Sequence, residues 1–434
     1  MNTAPSIGTA TVRTEPEGLV DAQDRPDVAI VGGGIVGLAT AYRLVEARPD
    51  LQIAVLEREP QVGTGQSSRN SGVLHAGLYY PPGSAKARWC TAGKQQLEAF
   101  CTEHGVPVAH TGKVVAAVDR DEIPRLHALE ERARTNGVEV ERLGPQGVLD
   151  HEPHLRALAG LWSPRTAVTD FGAVCRALAQ RIDAAGGQVH TSAEVVDLEQ
   201  TPEAVRLVVT SRDDGTVPGA ARRTSEVTAR TVVTCAGLQS DRIAALAGTA
   251  GAERIVPFRG AWLRLRGDAA GLVRGNIYPV PLPGLPFLGV HLTKRIDGQA
   301  WIGPNAVLAL AREGRGPWSV DLQDLADTLR FPGLYRLARR HLPTAVAEIW
   351  RDRVLRATVR EVQRYVPDVE VADVERGPWG VRAQMLEPSG EMVDDFRVRR
   401  HGRVVSVLNA PSPAATASLA IGAEIRDQVL THLP

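Results

Sequence analysis

Residues 28–44 read VAIVGGGIVGLATAYRL, and this stretch decides the fold. The run from Asp27 to Val31 is short, apolar and rich in Val and Ile, which is typical of a buried parallel strand. Gly32, Gly34 and Gly37 then fill a G-x-G-x-x-G pattern at the start of an apolar helix. Gly32 allows a tight turn, Gly34 lets the backbone approach a pyrophosphate, and Gly37 lets the helix pack against the strand. The stretch therefore predicts a strand–turn–helix unit that binds a dinucleotide.

An acidic residue stands where the next strand ends. The apolar run 52–56 is followed by Glu57, twenty residues after Gly37. At this spacing a carboxylate accepts hydrogen bonds from the ribose hydroxyls of an adenosine. The free N–H groups and the partial positive charge at the helix N-terminus favour the phosphates. Strand, glycines, helix and acid together predict an adenine dinucleotide rather than a glycine-rich loop without a ligand.

Composition places the chain among ordinary globular proteins. Its 434 residues suffice for two domains or one large composite domain, with 43% hydrophobic and 23% charged residues. The formal net charge is zero, so nothing indicates a nucleic-acid partner. The four cysteines form no C-x-x-C pair, which predicts neither a metal site nor a disulfide framework and favours reduced thiols. They are Cys90, Cys101, Cys175 and Cys235.

The N-terminal segment and the hydropathy pattern bear on location. Residues 1–25 carry Thr, Pro, Glu, Asp and Gly without an apolar block, so they predict a disordered leader rather than a signal peptide. No run of 18 apolar residues occurs in the sequence, and no transmembrane helix is predicted. We therefore expect a cytoplasmic protein, and peripheral association at the inner face of a membrane stays open.

The order of the predicted elements indicates two interleaved domains. Helices and strands alternate at both ends of the chain, whereas short strands at 261–266, 277–280, 287–292 and 300–302 are separated by turns rich in Pro and Gly. This pattern predicts an α/β fold, with a Rossmann-like dinucleotide-binding domain and an inserted antiparallel-sheet substrate domain. The predicted limits are 26–110, 150–255 and 390–434 for the first domain, and 111–149 and 256–389 for the second.

Several segments carry a resemblance that runs from the first strand nearly to the C-terminus. The chain resembles the FAD-dependent oxidoreductases of the D-amino-acid oxidase fold superfamily, and within them the L-2-hydroxyglutarate oxidases and dehydrogenases. The segments are RNSGVLHAGLYYPPGSAKARWC (69–90), VVTCAGLQSDRI (232–243), RIVPFRG (254–260), GNIYPVP (275–281), PFLGVHLT (286–293), WIGPNAVLA (301–309), GVRAQ (380–384) and NAPSPAATAS (409–418).

The resemblance implies a D-amino-acid oxidase-like fold and a non-covalent FAD. It further implies oxidation of (S)-2-hydroxyglutarate to 2-oxoglutarate by hydride transfer to flavin N5, with electrons passed to a quinone or to oxygen. Members of this group are often associated with a membrane without crossing it. Three alternatives stay open: an FAD-dependent oxidase of an amino acid or another 2-hydroxy acid, a flavin protein without turnover, and a nicotinamide enzyme.

The chain departs from the family pattern at several positions. Arg69 stands where relatives often have His, Ala261 where they have an acid, and Trp262 where they have another aromatic residue. Leu310 and Ala311 replace a Phe-Lys pair. If any of these side chains faces the substrate, the identity of the hydroxy acid changes while the flavin chemistry does not.

Oxidation of a 2-hydroxy acid needs a base for the hydroxyl proton and a cation for the carboxylate. His75 and His291 are the candidate bases, since imidazole accepts a proton near neutral pH. Arg382, in GVRAQ, is the candidate carboxylate ligand because its planar fork forms two parallel hydrogen bonds, and the wider superfamily uses an Arg in a similar element. Weaker candidates for the pocket are Tyr79, Arg259, Tyr278, Lys294 and Asn305.

The remaining candidates concern the cofactor. Gly32, Gly34, Gly37 and Glu57 are expected to bind its ADP half. The other expected contacts lie in the loop after the second strand, in a later strand, in the turn after the run 231–235 and in the loop before the last helix. They are Ser67, Ser68, Asn70, Val195, Ala236, Gly237, Ala415 and Thr416.

Overall fold

The computed structural model describes residues 25–211, 223–282, 289–314 and 316–433. The predicted leader lies outside the described residues except for its last position. The same holds for residues 213–215, where the sequence DDG predicts the polar tip of a hairpin-like excursion, and for residues 287–288 of the predicted strand 287–292.

Strands and helices follow one another along the described chain. The strands are β1 Val28–Val31, β2 Ile53–Leu56, β3 Val73–Leu74, β4 Val108–Ala109, β5 Lys113–Ala117, β6 Glu141–Leu143, β7 Ala159–Ser163, β8 Ala167–Thr169, β9 Gln188–His190, β10 Ala193–Gln200, β11 Val205–Ser211, β12 Thr224–Ala229, β13 Thr231–Thr234, β14 Arg254–Leu265, β15 Asn276–Pro279, β16 His291–Lys294, β17 Ala300–Gly303, β18 Val307–Leu308, β19 Val374–Leu386, β20 Arg397–His401 and β21 Val404–Asn409. The α-helices are α1 Ile35–Ala47, α2 Ala85–Glu103, α3 Ile123–Thr135, α4 Pro145–His151, α5 Phe171–Ala184, α6 Ser240–Leu246, α7 Leu322–Arg330, α8 Pro332–Arg353, α9 Leu355–Gln363 and α10 Ser418–Leu430.

A six-stranded sheet contains the glycine motif. Its order is β20-β21-β13-β1-β2-β9, and every neighbouring pair is parallel except β20 with β21. Ile30 in β1 is aligned with Val55 on one side and with Val233 on the other. All four residues of β1 are buried, as expected for a central parallel strand covered on both faces.

Different layers cover the two faces of this sheet. On one face, α1, α5 and α10 contribute Leu38, Leu178 and Ile425 to a common apolar core. On the other face, the antiparallel sheet β10-β11-β12 packs Val205 and Leu207 against the strands. The predicted α/β fold class with a Rossmann-like domain is confirmed.

A second large sheet has nine strands. Its order is β18-β14-β17-β16-β15-β5-β7-β6, with β19 paired to β14, and all pairs are antiparallel except β5 with β15. The apolar side chains of α9 pack on it through Val359 and Val362. Strand β7, from the segment 150–255, belongs to this sheet. The domain limits stay a proposal, and this pairing favours placing 159–163 with the substrate domain.

Helical spacing of apolar residues over 321–365 predicts helix there, and the structure has three helices in this stretch, α7, α8 and α9. The first break falls at Phe331, whose φ of −83° and ψ of 115° are extended, immediately before Pro332. Proline disfavours helical backbone in the residue that precedes it, so a new helix begins there. Among the described residues, no helix combines the length and apolarity that crossing a bilayer requires.

Candidate active site

The glycine bend is too crowded for side chains. Gly32 has a φ of +110°, and a Cβ atom there would lie 2.4 Å from the Cys235 carbonyl oxygen. A Cβ atom on Gly37 would lie 2.0 Å from the Gly32 carbonyl oxygen. Both positions therefore require glycine, and the close packing places the N-terminus of α1 directly at the carboxyl end of β1.

The first turn of α1 is open to an anion. Gly34 is the N-cap residue and has no side chain to cap the helix, while Ile35 N donates to Ser67 Oγ at 3.0 Å. A Cβ atom on Gly34 would meet Ser67 Oγ at 3.4 Å and no other atom of the described residues within 4 Å. The remaining N–H groups of the first turn, together with the helix dipole, suit a phosphate.

Glu57 lies buried at the carboxyl end of β2. Its Oε2 accepts a hydrogen bond from Gly33 N at 2.7 Å, and its Oε1 accepts one from Glu59 N at 2.8 Å. Burial raises the pKa of the Glu57 carboxyl, and the two amide donors oppose that shift. Each carboxylate oxygen keeps a further lone pair for a ribose hydroxyl. Val195 is close by, because Ala193 N donates to Glu57 O at 2.8 Å and β10 bulges just after Val195.

The loop after β2 is held together by its own hydrogen bonds. Asn70 Nδ2 donates to Ser67 O at 2.7 Å, and Asn70 Oδ1 accepts from Gly72 N at 2.9 Å. The Asn70 side chain therefore shapes the loop, and Ser68 is exposed. Of the three predicted residues, Ser67 is the one joined directly to the first turn of α1.

Two more loops converge on this region. Gly237 has a φ of +54°, and a Cβ atom there would lie 3.0 Å from the side-chain oxygen of Gln66, so the turn after β13, which starts with Ala236, faces the loop after β2. Thr416 is fully buried, and its Oγ1 accepts from His75 N at 3.1 Å and donates to Val73 O at 3.3 Å. This pair of bonds joins the loop before α10, where Ala415 also lies, to the segment that carries His75.

The two candidate bases lie in a buried cluster. Burial lowers the pKa of His75 to about 3, and Lys113 and His291 add to the effect. Burial also lowers the pKa of His291 to about 3, opposed by a hydrogen bond to Gly289 O and reinforced by Arg382 and Lys113. Both imidazoles are therefore neutral at neutral pH, the form in which one ring nitrogen has a lone pair. Sequence reasoning could not foresee that they act on each other.

The two histidines differ in their contacts. His291 Nδ1 donates to Gly289 O at 3.0 Å, and its ring stacks on Tyr278 at a centroid distance of 4.1 Å. The buried Nδ1 of His75 has no hydrogen-bond partner within the described part of the chain. The Trp262 ring meets His291 edge-on at 5.6 Å, so this departure from the family pattern contacts a candidate base.

Arg382 approaches the cluster from β19. It is aligned with Phe258 of β14, and burial lowers the pKa of its guanidinium to about 10, opposed by Glu348. Its charge acts on His291. His291 is thus within electrostatic range of both His75 and Arg382, which are far from it in the sequence.

Lys113 is the residue of the cluster that sequence reasoning missed. It starts β5 and has no exposed surface, and its Nζ lies 4.5 Å from the ring centre of Tyr79 and 4.9 Å from that of Tyr278. Burial lowers the pKa of Lys113 to about 7. The sequence did contain a signal for it: the chain has only four lysines, and Lys113 is the first residue of the apolar run KVVAAV.

Most of the weaker pocket candidates already have partners. Arg259 pairs with Asp352 at 2.6 Å, and Asn305 Nδ2 donates to the same carboxylate at 2.6 Å. Lys294 Nζ donates to Ala270 O at 2.9 Å. Tyr79 and Tyr278 stand instead beside the histidine cluster. Of the other departures from the family pattern, Arg69 and Leu310 are exposed, Ala261 is half-buried and Ala311 is buried.

The glycine bend, the open helix end and the buried acid define a dinucleotide-binding site, and the cluster of His, Lys and Arg next to it has the groups that oxidation of an organic acid needs. The chain matches the FAD dependent oxidoreductase family over residues 27–428. It belongs to that family.

The relatives are more specific than the family. L-2-hydroxyglutarate dehydrogenase of Homo sapiens, a mitochondrial protein, is 43% identical over 93% of this chain and 88% of its own length. The mitochondrial enzyme of the same name from Caenorhabditis briggsae is 41% identical over 94% of this chain and 93% of its own length. L-2-hydroxyglutarate dehydrogenase of Escherichia coli is 38% identical over 94% of each chain.

Solved structures agree on the fold. The L-alpha-glycerophosphate oxidase of Mycoplasma pneumoniae with FAD bound has a TM-score of 0.71, 20% identity and coverage of 94% of this chain and 95% of that one. Glycine oxidase of Geobacillus kaustophilus has a TM-score of 0.67, 18% identity and the same coverage. At this level of identity the likeness concerns the architecture alone.

FAD is the cofactor of this family, and the residues present fit it. The space that a Cβ atom on Gly32 or Gly37 would fill is taken by backbone, and the uncapped first turn of α1 together with Glu57 matches a pyrophosphate and a ribose. The predicted family and cofactor are confirmed.

Proposed function

We propose that the protein oxidises (S)-2-hydroxyglutarate to 2-oxoglutarate with FAD as the hydride acceptor. The observation that carries the proposal is identity of 38–44% over more than nine tenths of the chain to L-2-hydroxyglutarate dehydrogenases from animals and bacteria. When bound, FAD supplies the site that accepts the hydride from C2 and passes the electrons on. The residues around the histidine cluster supply charge, orientation and a base.

The charges of the cluster complement a dicarboxylate. Arg382 acts on His291 through its charge and suits the carboxylate next to the reacting carbon, because its fork makes two parallel hydrogen bonds. A carboxylate fixed in this way holds the C2–H bond in one orientation. The apolar and aromatic walls, including Tyr278 and Trp262, keep water away and strengthen these interactions.

His75 is the favoured base. Its main chain is bonded to Thr416 in the loop before α10, so it joins the cofactor side of the site to the substrate side. Its Nδ1 is buried and without a partner among the described residues, which leaves a lone pair for the hydroxyl proton. His291 is held by Gly289 and Tyr278 and is better suited to orient the hydroxyl group.

The test compares flavin reduction rates in the absence of oxygen. His75→Gln should slow reduction by (S)-2-hydroxyglutarate about 10²–10⁴-fold, as expected for loss of a general base, and His291→Gln should slow it less. His110→Gln, at an exposed position, is the matched control and should behave as wild type. Reduction rates close to wild type in both cluster variants would exclude a histidine as the base. A larger loss of rate in His291→Gln than in His75→Gln would make His291 the base and His75 the residue that orients the hydroxyl group.

A membrane surface is the proposed docking partner, which favours a quinone over oxygen as the electron acceptor. Four apolar side chains on one face of α8, at spacings of four, three and one residues, are each more than half exposed: Leu342, Val346, Ile349 and Trp350. The exposed Arg339 and Arg340 come directly before His341, whose non-helical backbone kinks α8 just ahead of this stripe. An apolar stripe flanked by arginines is the pattern of a helix that lies in the interface of an anionic bilayer.

Sedimentation with vesicles tests this surface. Wild type should pellet with vesicles that contain phosphatidylglycerol, and the double variant Leu342→Ser/Trp350→Ser should bind about tenfold less, since apolar area is lost. The control is Leu149→Ser/Leu246→Ser, which removes exposed leucines from other surfaces. Equal binding by the two double variants, or a wild type that stays in the supernatant, would contradict the proposal.

A further inference from the structure

One lysine of the cluster has no counter-charge. Lys113 is fully buried, and its Nζ has no hydrogen-bond partner among the residues that the structure describes. Other buried lysines of the chain are paired: Lys86 with Asp394 at 2.7 Å, and Lys94 with Glu98. A buried ammonium without a partner is costly, so proteins rarely contain one unless it has a function.

The surroundings of Lys113 do not compensate its charge. The ring centres of Tyr79 and Tyr278 lie 4.5 and 4.9 Å from Nζ, and the two rings stack at 6.4 Å. Cation–π contacts stabilise an ammonium by about 2 kcal/mol when they are desolvated, which is less than the penalty for burying an unpaired charge. The buried Oη of Tyr79 also has no hydrogen-bond partner in the described parts of the chain. The ammonium and the Tyr79 hydroxyl thus both belong to the cluster and both have donors without an acceptor among the described residues.

The sheet order places the two cations of the cluster on opposite sides of His291. Strand β16, which carries His291, is followed on one side by β17, β14 and β19 with Arg382, and on the other side by β15 and β5 with Lys113. Both charges act on the His291 imidazole. A five-carbon diacid has a carboxylate at each end, and the cluster has a cation on each side of a candidate catalytic imidazole.

We propose that Lys113 Nζ binds the carboxylate of the substrate that is remote from the reacting carbon, and so selects dicarboxylic over monocarboxylic 2-hydroxy acids. The inference rests on the proposed function and adds a specificity residue to it. The discrimination follows from the unpaired charge: a diacid gives the ammonium its counter-ion, whereas a monoacid of the same length leaves it buried and unpaired.

The test uses Lys113→Met, which keeps the length of the side chain and removes its charge. Anaerobic flavin reduction is followed with (S)-2-hydroxyglutarate and with (S)-2-hydroxypentanoate, which has the same carbon chain without the remote carboxylate. We expect kcat/KM for the diacid to fall about 10²-fold, the equivalent of a lost charge-assisted hydrogen bond, and kcat/KM for the monoacid to stay constant or rise. The preference for the diacid should therefore narrow by about the same factor.

A stability measurement separates binding from a structural role. Removing an unpaired buried charge relieves a penalty, so the melting temperature of Lys113→Met should equal or exceed that of wild type. The matched control Lys94→Met removes a buried lysine that is paired with Glu98 and leaves that carboxylate with only the more distant His110, at 3.8 Å, so its melting temperature should fall.

The outcomes distinguish this inference from the proposed function. A wild type whose flavin is not reduced by (S)-2-hydroxyglutarate contradicts the proposed function itself. If the wild-type flavin is reduced but Lys113→Met lowers kcat/KM equally for the diacid and the monoacid, or lowers it for neither, Lys113 has no role in specificity. The proposed reaction is not affected by that result. Binding of 2-oxoglutarate to the oxidised holoenzyme, measured by calorimetry, should weaken in Lys113→Met in parallel with kcat/KM.

Discussion

The dinucleotide groove and the histidine cluster are built on different principles. In the groove, backbone makes most of the site: Gly32 and Gly37 leave no room for a Cβ atom, and the first turn of α1 presents N–H groups. In the cluster, side chains from five separate segments make the site, and some of their polar atoms, such as His75 Nδ1 and Lys113 Nζ, have no partner among the described residues.

The groove, made mostly of backbone, is suited to binding the cofactor, and the cluster, made of side chains, is suited to the chemistry of the substrate. A backbone site leaves little room for added atoms, and Glu57 is the titratable side chain assigned to it. In the side-chain cluster, His75 Nδ1 and Lys113 Nζ are buried without a partner among the described residues, so they lower the stability of the free protein and offer groups that a substrate can satisfy. Substitutions in the groove should therefore weaken FAD binding, whereas substitutions in the cluster should change the substrate kinetics and leave FAD bound.

The largest expected effect is at the groove. Gly34→Ala should raise the dissociation constant of FAD about 100-fold or more, because the added methyl group stands where the backbone must approach the pyrophosphate. The fold should persist, since Ser67 Oγ at 3.4 Å is the nearest described neighbour of that Cβ atom. Flavin content after gel filtration and calorimetric titration of the apoprotein with FAD measure the effect.

A matched control exists for this variant. Gly144 is also a helix N-cap, with a φ of −77° and a ψ of 178° against −76° and 174° at Gly34, and nothing lies within 4 Å of its Cβ position among the described residues. Gly144→Ala should keep its flavin. Flavin retained in Gly34→Ala, or lost in both variants, would show that the first turn of α1 is not the pyrophosphate site.

The second largest effect is expected in the cluster, where a substitution should change substrate binding and leave the FAD content unchanged. Arg382→Lys should keep a full complement of FAD and raise KM for (S)-2-hydroxyglutarate by about 10–100-fold, because Lys cannot form the two parallel bonds of the guanidinium fork. Arg376→Lys, on the same strand but exposed, is the control. Steady-state kinetics with an artificial electron acceptor measure both, and an unchanged KM for Arg382→Lys would rule out its role.

The smallest effect is a pH dependence. The pKa of Lys113 is lowered to about 7, so the ammonium is present below that pH and is lost above it in the free enzyme. Burial keeps the facing groups out of this range: the pKa values of His75 and His291 are about 3, those of Tyr79 and Tyr278 are raised, and that of Cys90 is about 12.

The titration of Lys113 should affect kcat/KM on the alkaline side of the pH profile only. For the diacid, kcat/KM should fall as the pH rises through about 7, and it should be flat on the acid side down to about pH 5, where the substrate carboxylates begin to protonate. In Lys113→Met the fall above neutrality should disappear. A wild-type profile with an acid limb near the ordinary histidine pKa would contradict the assignment of neutral, buried imidazoles.

The sequence predicted the local structure of the groove, a strand, a glycine turn, a helix and an acid after the next strand, whereas the contacts of these residues with FAD stay a proposal. Strand, glycines, helix and Glu57 are contiguous, and each glycine is required by a contact within that unit or with the neighbouring strand. Helix α1 was foreseen for the same reason, because a local apolar period determines it. Predictions of this kind need no knowledge of distant contacts.

The cluster could be predicted only in part. His75, His291 and Arg382 were singled out by residue chemistry and by resemblance, but Lys113 becomes informative only beside Tyr278, which is far from it in the sequence. The long strand β19 could not be predicted from the sequence, because glycine and proline within it are typical of turns rather than strands. One of those glycines, Gly380, is required because a Cβ atom there would lie 2.5 Å from the Arg69 carbonyl oxygen, a contact that no local pattern reveals.

The most direct test is anaerobic mixing of the purified holoenzyme with each enantiomer of 2-hydroxyglutarate. The account predicts that the (S) enantiomer abolishes the visible absorbance of the oxidised flavin and yields one 2-oxoglutarate per FAD, while the (R) enantiomer and an amino acid such as glutamate leave the spectrum unchanged. Flavin that stays oxidised with (S)-2-hydroxyglutarate, or that is reduced as fast by glutamate, would contradict it.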